Sequence, residues 1–253
     1  MTTLIRSVDI NCDLGEGLTI ADCEQDALLM PFLSRCNIAC GGHAGNHVTM
    51  PITLRNALSH GLLCGAHPGY PDKNHFGRVS LNIARSELLD SLVTQIKDLQ
   101  LHAQALGIEL QHIKLHGALY NDAEQSLELA SHICQMVAQH FAQLAVLGLP
   151  QAAMQQAAQQ HGLLFLAEGF MDRAYLSTGQ LAPRTQAGAV YTDSEQCIEQ
   201  VLAILNQRLV TTFDGKQLQL EVDTLCLHGD SQIALHLAST LQDRLSAKNW
   251  IIA

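Results

Sequence analysis

A chain of 253 residues with 47% hydrophobic content has the length of one β/α barrel and enough apolar material for one large core. The formal net charge of −10, with 14 Lys and Arg and no basic block, argues against a nucleic-acid footprint or an anionic membrane surface. No apolar run approaches the ~20 residues of a membrane span, and the opening MTTLIRSVDI lacks an apolar signal-peptide core. The expectation is one cytoplasmic domain, residues 1–253, that works on small molecules or with protein partners.

The first unit is a strand from near Ile5 to Leu14, in which Val8, Ile10 and Cys12 alternate with Asp9, Asn11 and Asp13. The turn Gly15, Glu16, Gly17 leads to a helix with Leu28, Leu29, Phe32 and Leu33 at helical spacing, and Thr19 with Asp22 forms a capping pair. A second strand, Cys36 to Cys40, opens into GGHAGNH, where Gly41, Gly42 and Gly45 let backbone approach a ligand around His43. A helix from about Met50 to His60 precedes the third strand, LLCGAH, which ends in His67. The loop PGYPDKNHFGR is too rich in turn residues to continue either element and should lie over a rim.

The next helix has Asn82 as its expected cap, a stripe of Leu88, Leu89, Leu92, Ile96, Leu99, Ala103 and Leu106, and Gly107 as its stop. In HIKLHGALY, residues 112 to 120, strand alternation sends Ile113 and Leu115 to one face and His112, Lys114 and His116 to the other. Asn121 or Asp122 then caps a helix to about His140. The fifth strand, LAVLGL, carries no ionisable residue, and Pro150 starts the following helix. The sixth, LLFLAEGF, contains Glu168 and runs into a long polar loop with Asp172, Arg173 and Arg184. A helix from about Ser194 to Arg208 and a hairpin at Asp214 and Gly215 precede the seventh strand, TLCLHGD. There Leu225 and Leu227 oppose His228 and Asp230, and a last helix runs from about Gln232 to Ser246.

Strands with one apolar face and a polar cluster at the carboxyl end, separated by amphipathic helices, specify an α/β fold. The reading is a single distorted β/α barrel of about seven strand-helix units with its chemistry at the carboxyl-terminal rim. Seven is one fewer than the full barrel, so either NWIIA adds a short strand or the barrel is partly open. The eight cysteines include no CxxC pair, and Cys12, Cys36, Cys40, Cys64 and Cys226 sit in strands among apolar neighbours, which reads as buried free thiols.

His43, His67, His116 and His228 each end a different strand or begin its loop. One alone would be an ordinary half-buried imidazole; four on one rim point to a metal site or an acid and base cluster. Asp13, with Glu16 following on a Gly-rich turn, is read as functional, and Asn11 as structural. An inward Lys114 needs an anion, either Asp13, Glu168 or a substrate group. Arg173 and Arg184 lie in a loop where arginine is usually solvated, and Asp172 beside Arg173 could be a surface pair of little worth. His47, His60, His75, His102, His132, His140, His161 and His236 are left to helix and loop surfaces.

The segments DINCDLGEG, CNIACGGHAG, GAHPGYPD with HFGR, HIKLHGALYN, EGFMDRAY with LAPR, and LCLHGD occur in order along nearly the whole chain. In them the sequence resembles the LamB/YcsF lactam-utilisation family, the A subunits of ATP-dependent 5-oxoprolinase. The resemblance implies a distorted β/α barrel related to glycoside hydrolases and deacetylases. It also implies cleavage of 5-oxoproline to L-glutamate, with ATP hydrolysed to ADP and phosphate, by a complex with partner subunits B and C. Asp13, Glu16, His43, His67, Lys114, His116, Asp172, Arg173 and His228 match motif positions. The family usually has Phe where Gly42 stands, Asp where Asn46 stands and Pro where Leu115 stands, which implies a looser second rim loop that lacks one carboxylate.

For such chemistry, Asp13 or His116 would deprotonate the attacking water and Lys114 or Arg173 would hold a carboxylate or phosphate. Glu16, His43, His67 and Asp172 complete the expected catalytic set, and His228, Gly41 and Gly45 the ligand-binding set. No Walker A loop is present, so phosphate would bind at Gly41 to Gly45 or on a partner. Two rival readings remain: a metal-dependent amidohydrolase or deacetylase without ATP, its divalent ion held by Asp13, His43 and His67, and a non-catalytic binding subunit.

Overall fold

The computed structural model describes residues 6–229, 231 and 233–253, so the expectations for Ile5, Asp230 and Gln232 lie outside the described residues. The first six strands are β1 (Arg6–Leu14), β2 (Arg35–Ala39), β3 (Leu63–His67), β4 (His112–Lys114), β5 (Ala145–Gly148) and β6 (Phe165–Phe170). After a small antiparallel hairpin of β7 (Leu209–Thr211) and β8 (Gln217–Gln219) comes β9 (Thr224–His228). Strands β1 to β6 pair in sequence order, all parallel, and β9 pairs with both β6 and β1 to close a seven-stranded barrel. NWIIA does supply a strand, β10 (Trp250–Ile252), but it lies beside Arg6 to Val8 and the ring closes without it.

Alternation decides what each strand buries. Ile10, Cys12, Ile113, Leu225 and Leu227 join helix residues such as Leu54, Leu92, Ile133 and Leu237 in one core cluster between barrel and helices. Each such side chain stabilises the fold by ~1.5–3 kcal/mol on burial. The opposite parity meets inside the ring, where Asn11 donates to Thr224 Oγ1 at 2.9 Å and Asn37 donates to Asn11 Oδ1 at 2.8 Å. His112 Nε2 lies 2.7 Å from Asn37 Oδ1. Gly65 faces this interior, and a Cβ there would collide with the His112 ring.

Helix boundaries differ from expectation where another residue satisfies the backbone. Helix α1 (Ile20–Ala27) has the Thr19 and Asp22 capping box but stops before Leu28, and Met30–Phe32 forms a 3-10 turn. Pro31 has no N–H to continue an α-helix and disfavours helical backbone at Met30. Helix α2 spans Thr49–Ser59, and α3 (Arg85–Ala105) follows Ala84 without a side-chain cap, so Asn82 does not cap it. Helix α4 (Gly117–Gln125) begins directly after His116, leaving Asn121 and Asp122 inside it. Gly117, at φ +57°, makes the abrupt turn, and Ala118 N–H donates to the Gly77 carbonyl. Ser126 then ends α4 and caps α5 (Leu127–His140).

Helix α6 (Ala153–Gln160) starts three residues beyond Pro150. Its first turn is capped from afar: the Glu124 carboxylate accepts from Leu149 N at 2.7 Å and Met154 N at 3.3 Å. Helix α7 (Ser194–Gln207) is capped by Asp193, and α8 (Ala234–Ser246) closes the outer layer. Among the described residues no helix is long and apolar enough to cross a membrane.

Candidate active site at the barrel mouth

The carboxyl ends of the strands surround a cavity of about 330 Å³. Register brings the site together: Asp13 sits opposite both Asn37 and His228, and Ala39 opposite His67. Lys114 is buried among charged groups, 2% exposed. Its Nζ lies 2.9 Å from Asp13 Oδ1, 2.8 Å from Glu168 Oε1 and 3.1 Å from Cys226 Sγ, with the Phe170 ring 5.4 Å away. Burial opposes its charge, but Asp13, Cys226 and Glu168 outweigh that and raise its pKa well above the ordinary lysine value.

Asp13 is gripped on both oxygens. Oδ1 accepts from Asn37 Nδ2 at 2.7 Å as well as from Lys114, and Oδ2 lies 3.3 Å from His67 Nε2. Burial alone would raise this carboxyl, yet His67 and Lys114 hold it well below the usual carboxylate range, so it is an anion at neutral pH. For His67 burial works against the charged form, but Asp13 beside it raises its pKa.

The Gly15 turn delivers Glu16 to a second group. Glu16 Oε1 is 3.0 Å from His43 Nε2, 3.1 Å from His116 Nδ1 and 3.8 Å from His67 Nε2. Burial would raise Glu16, but the adjacent His116 and His43 hold it far below the usual range. Burial pushes His43 down to about 3, and His43 stacks flat on His116 with ring centroids 3.5 Å apart. Both His116 nitrogens are engaged: Nε2 meets the Phe76 carbonyl at 2.9 Å and Nδ1 lies 2.9 Å from His67 Nε2. The loop of residues 68–78 therefore does lie over the rim, as its turn residues required.

Among the described residues, two groups of donor atoms lie close enough to hold a cation: Glu16 with His43, His67 and His116, and Asp13 with Cys226 and His228. The Lys114 ammonium already sits against Asp13 and Cys226 in the second.

The far wall is the loop after β6. Arg173 is 4% exposed, so it is no solvated surface residue; its Nε donates to the Ala189 carbonyl at 3.3 Å and its Nη2 to the Ala182 carbonyl at 2.6 Å. Asp172 is buried as well and accepts from His228 Nδ1 at 2.8 Å, which excludes the alternative of a surface pair with Arg173. Burial opposes ionisation of Asp172, but His228, Arg184 and Arg173 lower its pKa.

Asp13, Glu16, Lys114, His116, Arg173 and His228 line the cavity, as does Arg184. His43 and His67 stand behind Glu16 and Asp13, and Asp172 behind His228. Gly41 and Gly45 are not on the cavity wall; they turn the chain that aims His43, at φ +98° and +83°, and a Cβ on Gly45 would strike the Ala39 carbonyl. Cys226, grouped with apolar strand residues by sequence, points inward at Lys114. Asn37 went unnoticed, although its alternation with Cys36 and Ile38 carried the signal.

The departures at Gly42 and Asn46 do not loosen the second rim loop. A Cβ at Gly42 would collide with Gln95, whose buried side chain occupies that space. Asn46 Oδ1 accepts from Val48 N at 2.8 Å and Thr49 N at 3.0 Å, and Nδ2 donates to the Leu18 carbonyl, so this side chain secures the start of α2.

Other proteins are similar to this chain in sequence, and a solved structure is similar in its fold. It is 42% identical to the A subunit of 5-oxoprolinase from Syntrophobacter fumaroxidans over 237 residues, covering 94% of each. It is 40% identical to the corresponding A subunit from Chloroflexus aggregans, covering 95% of this chain and 96% of that one. The crystal structure of the lactam utilization protein from Thermus thermophilus superimposes with a TM-score of 0.90 at 33% identity, covering 97% of this chain and 98% of that one. The family model for LamB/YcsF matches residues 8–253. With a match over residues 8–253 and relatives aligned nearly end to end, the chain belongs to the LamB/YcsF family.

Proposed function

We propose that this chain is the A component of a 5-oxoprolinase, opening the lactam ring of 5-oxoproline to give L-glutamate with ATP converted to ADP and phosphate, in a complex with subunits B and C. One observation carries the reading beyond the relatives' names: the cavity has an anionic, proton-handling flank at Asp13 and Glu16 and a guanidinium flank at Arg173 and Arg184. A small lactam bearing a carboxylate needs both, one at the ring carbon and one at the charge.

In this reading the γ-phosphoryl group of ATP passes to the lactam oxygen, releasing ADP. Water adds to the activated ring carbon while Asp13 accepts its proton. Asp13 is assigned this role because it is an ionised group on the cavity wall, its charge maintained by Lys114 and His67. The ring C–N bond breaks as nitrogen takes a proton, leaving an acyl phosphate that a second water hydrolyses to L-glutamate and phosphate. Lys114 keeps Asp13 ionised and Arg173 or Arg184 holds the substrate carboxylate. The chain has no Walker A sequence, so we assign phosphate transfer to the assembled complex.

The test is an assay of purified chain, alone and with subunits B and C, supplied with 5-oxoproline and ATP. Glutamate is expected only from the assembly. Robust turnover by the isolated chain would remove the need for partners, and none from the full assembly would remove the proposed reaction.

A further inference from the structure

We propose that Glu16, His43, His67 and His116 form a binding site for one divalent transition-metal ion, with Zn²⁺ as the best-matched occupant. The inference does not depend on the reaction assigned above.

Backbone carbonyls fix one hydrogen on each of two of these rings. His67 Nδ1 lies 2.8 Å from the Lys114 carbonyl, which can only accept, so that nitrogen carries the hydrogen and in the neutral ring Nε2 presents a lone pair, with Asp13 Oδ2 at 3.3 Å from it. His116 Nε2 lies 2.9 Å from the Phe76 carbonyl by the same logic, which leaves the lone pair on Nδ1. These two bare nitrogens face each other at 2.9 Å, and Glu16 Oε1 sits 3.1 Å from one and 3.8 Å from the other. His43 Nε2 approaches the same oxygen at 3.0 Å. Three acceptors gathered at this range repel unless something positive lies among them.

Two kinds of positive centre are available, a shared proton or a cation, and the packing favours the cation. The donor atoms of all four residues lie within 4.8 Å of one another. A tetrahedral shell with ligands at ~2.0–2.1 Å places its donors about 3.3 Å apart, and the contacts of 2.9, 3.0, 3.1 and 3.8 Å bracket that spacing. His43 and His116 stack in parallel at 3.5 Å, an arrangement open to two neutral rings and hostile to two imidazolium ions. Neutral imidazole is the form that binds metal, and backbone carbonyls behind His67 and His116 are the usual means of orienting metal-bound histidine. Three imidazole nitrogens and one carboxylate oxygen suit Zn²⁺ and Co²⁺ and disfavour Mg²⁺ and Ca²⁺, which prefer oxygen shells.

The test uses the full chain, stripped with chelator and titrated by calorimetry with Zn²⁺ alone and, separately, with Co²⁺ while its visible absorption is followed. We expect one ion per chain, Co²⁺ bands typical of nitrogen and oxygen ligands, and a rise in melting temperature. Affinity should fall at least ~100-fold in His43→Ala, while His132→Ala, on the outer face of α5, should bind as the parent does. Because losing a buried ring could unfold the protein, Glu16→Gln serves as the variant of unchanged shape, with an expected loss of at least ~10-fold. A folded, stripped chain that takes up neither ion overturns the proposal and leaves a shared proton in the cluster. Uptake that is equal in the parent, His43→Ala and Glu16→Gln overturns it too, since the ion would then sit elsewhere, for example on the cysteines.

Discussion

The carboxamide of Gln95 grips both polar groups of one residue, accepting from Gly69 N at 3.1 Å and donating to the Gly69 carbonyl at 2.9 Å. It can lie flat against the rim because Gly42 has no side chain. Buried as it is, it ties the loop after β3 to helix α3 and fills the space beside the loop after β2.

Gly42→Ala should therefore cost ~1–3 kcal/mol through overpacking against Gln95. In a Gln95→Ala background the same change should cost markedly less, although that background is itself weakened by the lost bonds to Gly69. Urea unfolding of the four chains gives the coupling directly, and purely additive effects would show that the two positions do not compete for space.

Asp13 is held ionised by Lys114 and His67, with Asn37 donating to the oxygen that Lys114 also holds. In Asp13→Asn the shape is kept and the charge is lost, so turnover of the assembled enzyme should fall by ~10²-fold or more. The control is Asp243→Asn, on the exposed side of α8, which should be nearly silent. Asp22 would serve poorly, since its carboxylate accepts from Leu18 N and Thr19 N and closes the capping box. Unchanged turnover in Asp13→Asn would leave that residue structural and shift the proton work to His116.

What the sequence made legible was parity. An apolar face alternating with a titratable one placed Lys114 inside, His116 at the rim and Ile113 in the outer core, because a one-residue slip would have exposed the whole apolar set. Counting such units gave seven strands, but closure was not legible in them, because it rests on β9 pairing directly with both β1 and β6. Three things were hidden for separate reasons. Cys226 is chemically ambivalent, so its apolar neighbours outvoted its inward parity. Asn46 and Glu124 act through backbone amides of helices whose starts the sequence placed wrongly or left uncapped. The burial of Arg173 depends on two loop carbonyls, of Ala182 and Ala189, that only the folded loop brings within reach.

That loop gives a third expectation. Arg173 spans two carbonyls with separate nitrogens, and Gln200 donates to the carbonyls of Phe170 and of Arg173 itself. An ammonium on a flexible stem cannot reproduce the planar fork. Arg173→Lys should loosen the segment that carries Leu181 to Thr185 across the cavity, raising KM for the substrate and increasing amide exchange there. Unaltered exchange with a raised KM would instead mean that Arg173 acts on substrate directly.

The pH dependence of stability should carry the mark of Glu124. Burial pushes its carboxyl up to about 8 against the two backbone N–H donors that favour its charge, with Glu168 adding to the rise. The unfolded chain releases this proton near the ordinary value of ~4.3, whereas the folded chain retains it to about 8. Between those values the native state binds more protons, so the contribution to stability is full below ~4.3 and is lost as pH rises, levelling off above about 8. Glu124→Gln keeps an acceptor for Leu149 N without a titrating group, so its stability should decline less than the parent's between pH 5 and pH 8. Chemical denaturation at several values across that window measures the difference. Parallel curves for the two proteins would show that Glu124 is already ionised in the fold, and that the amide donors of Leu149 and Met154 outweigh its burial.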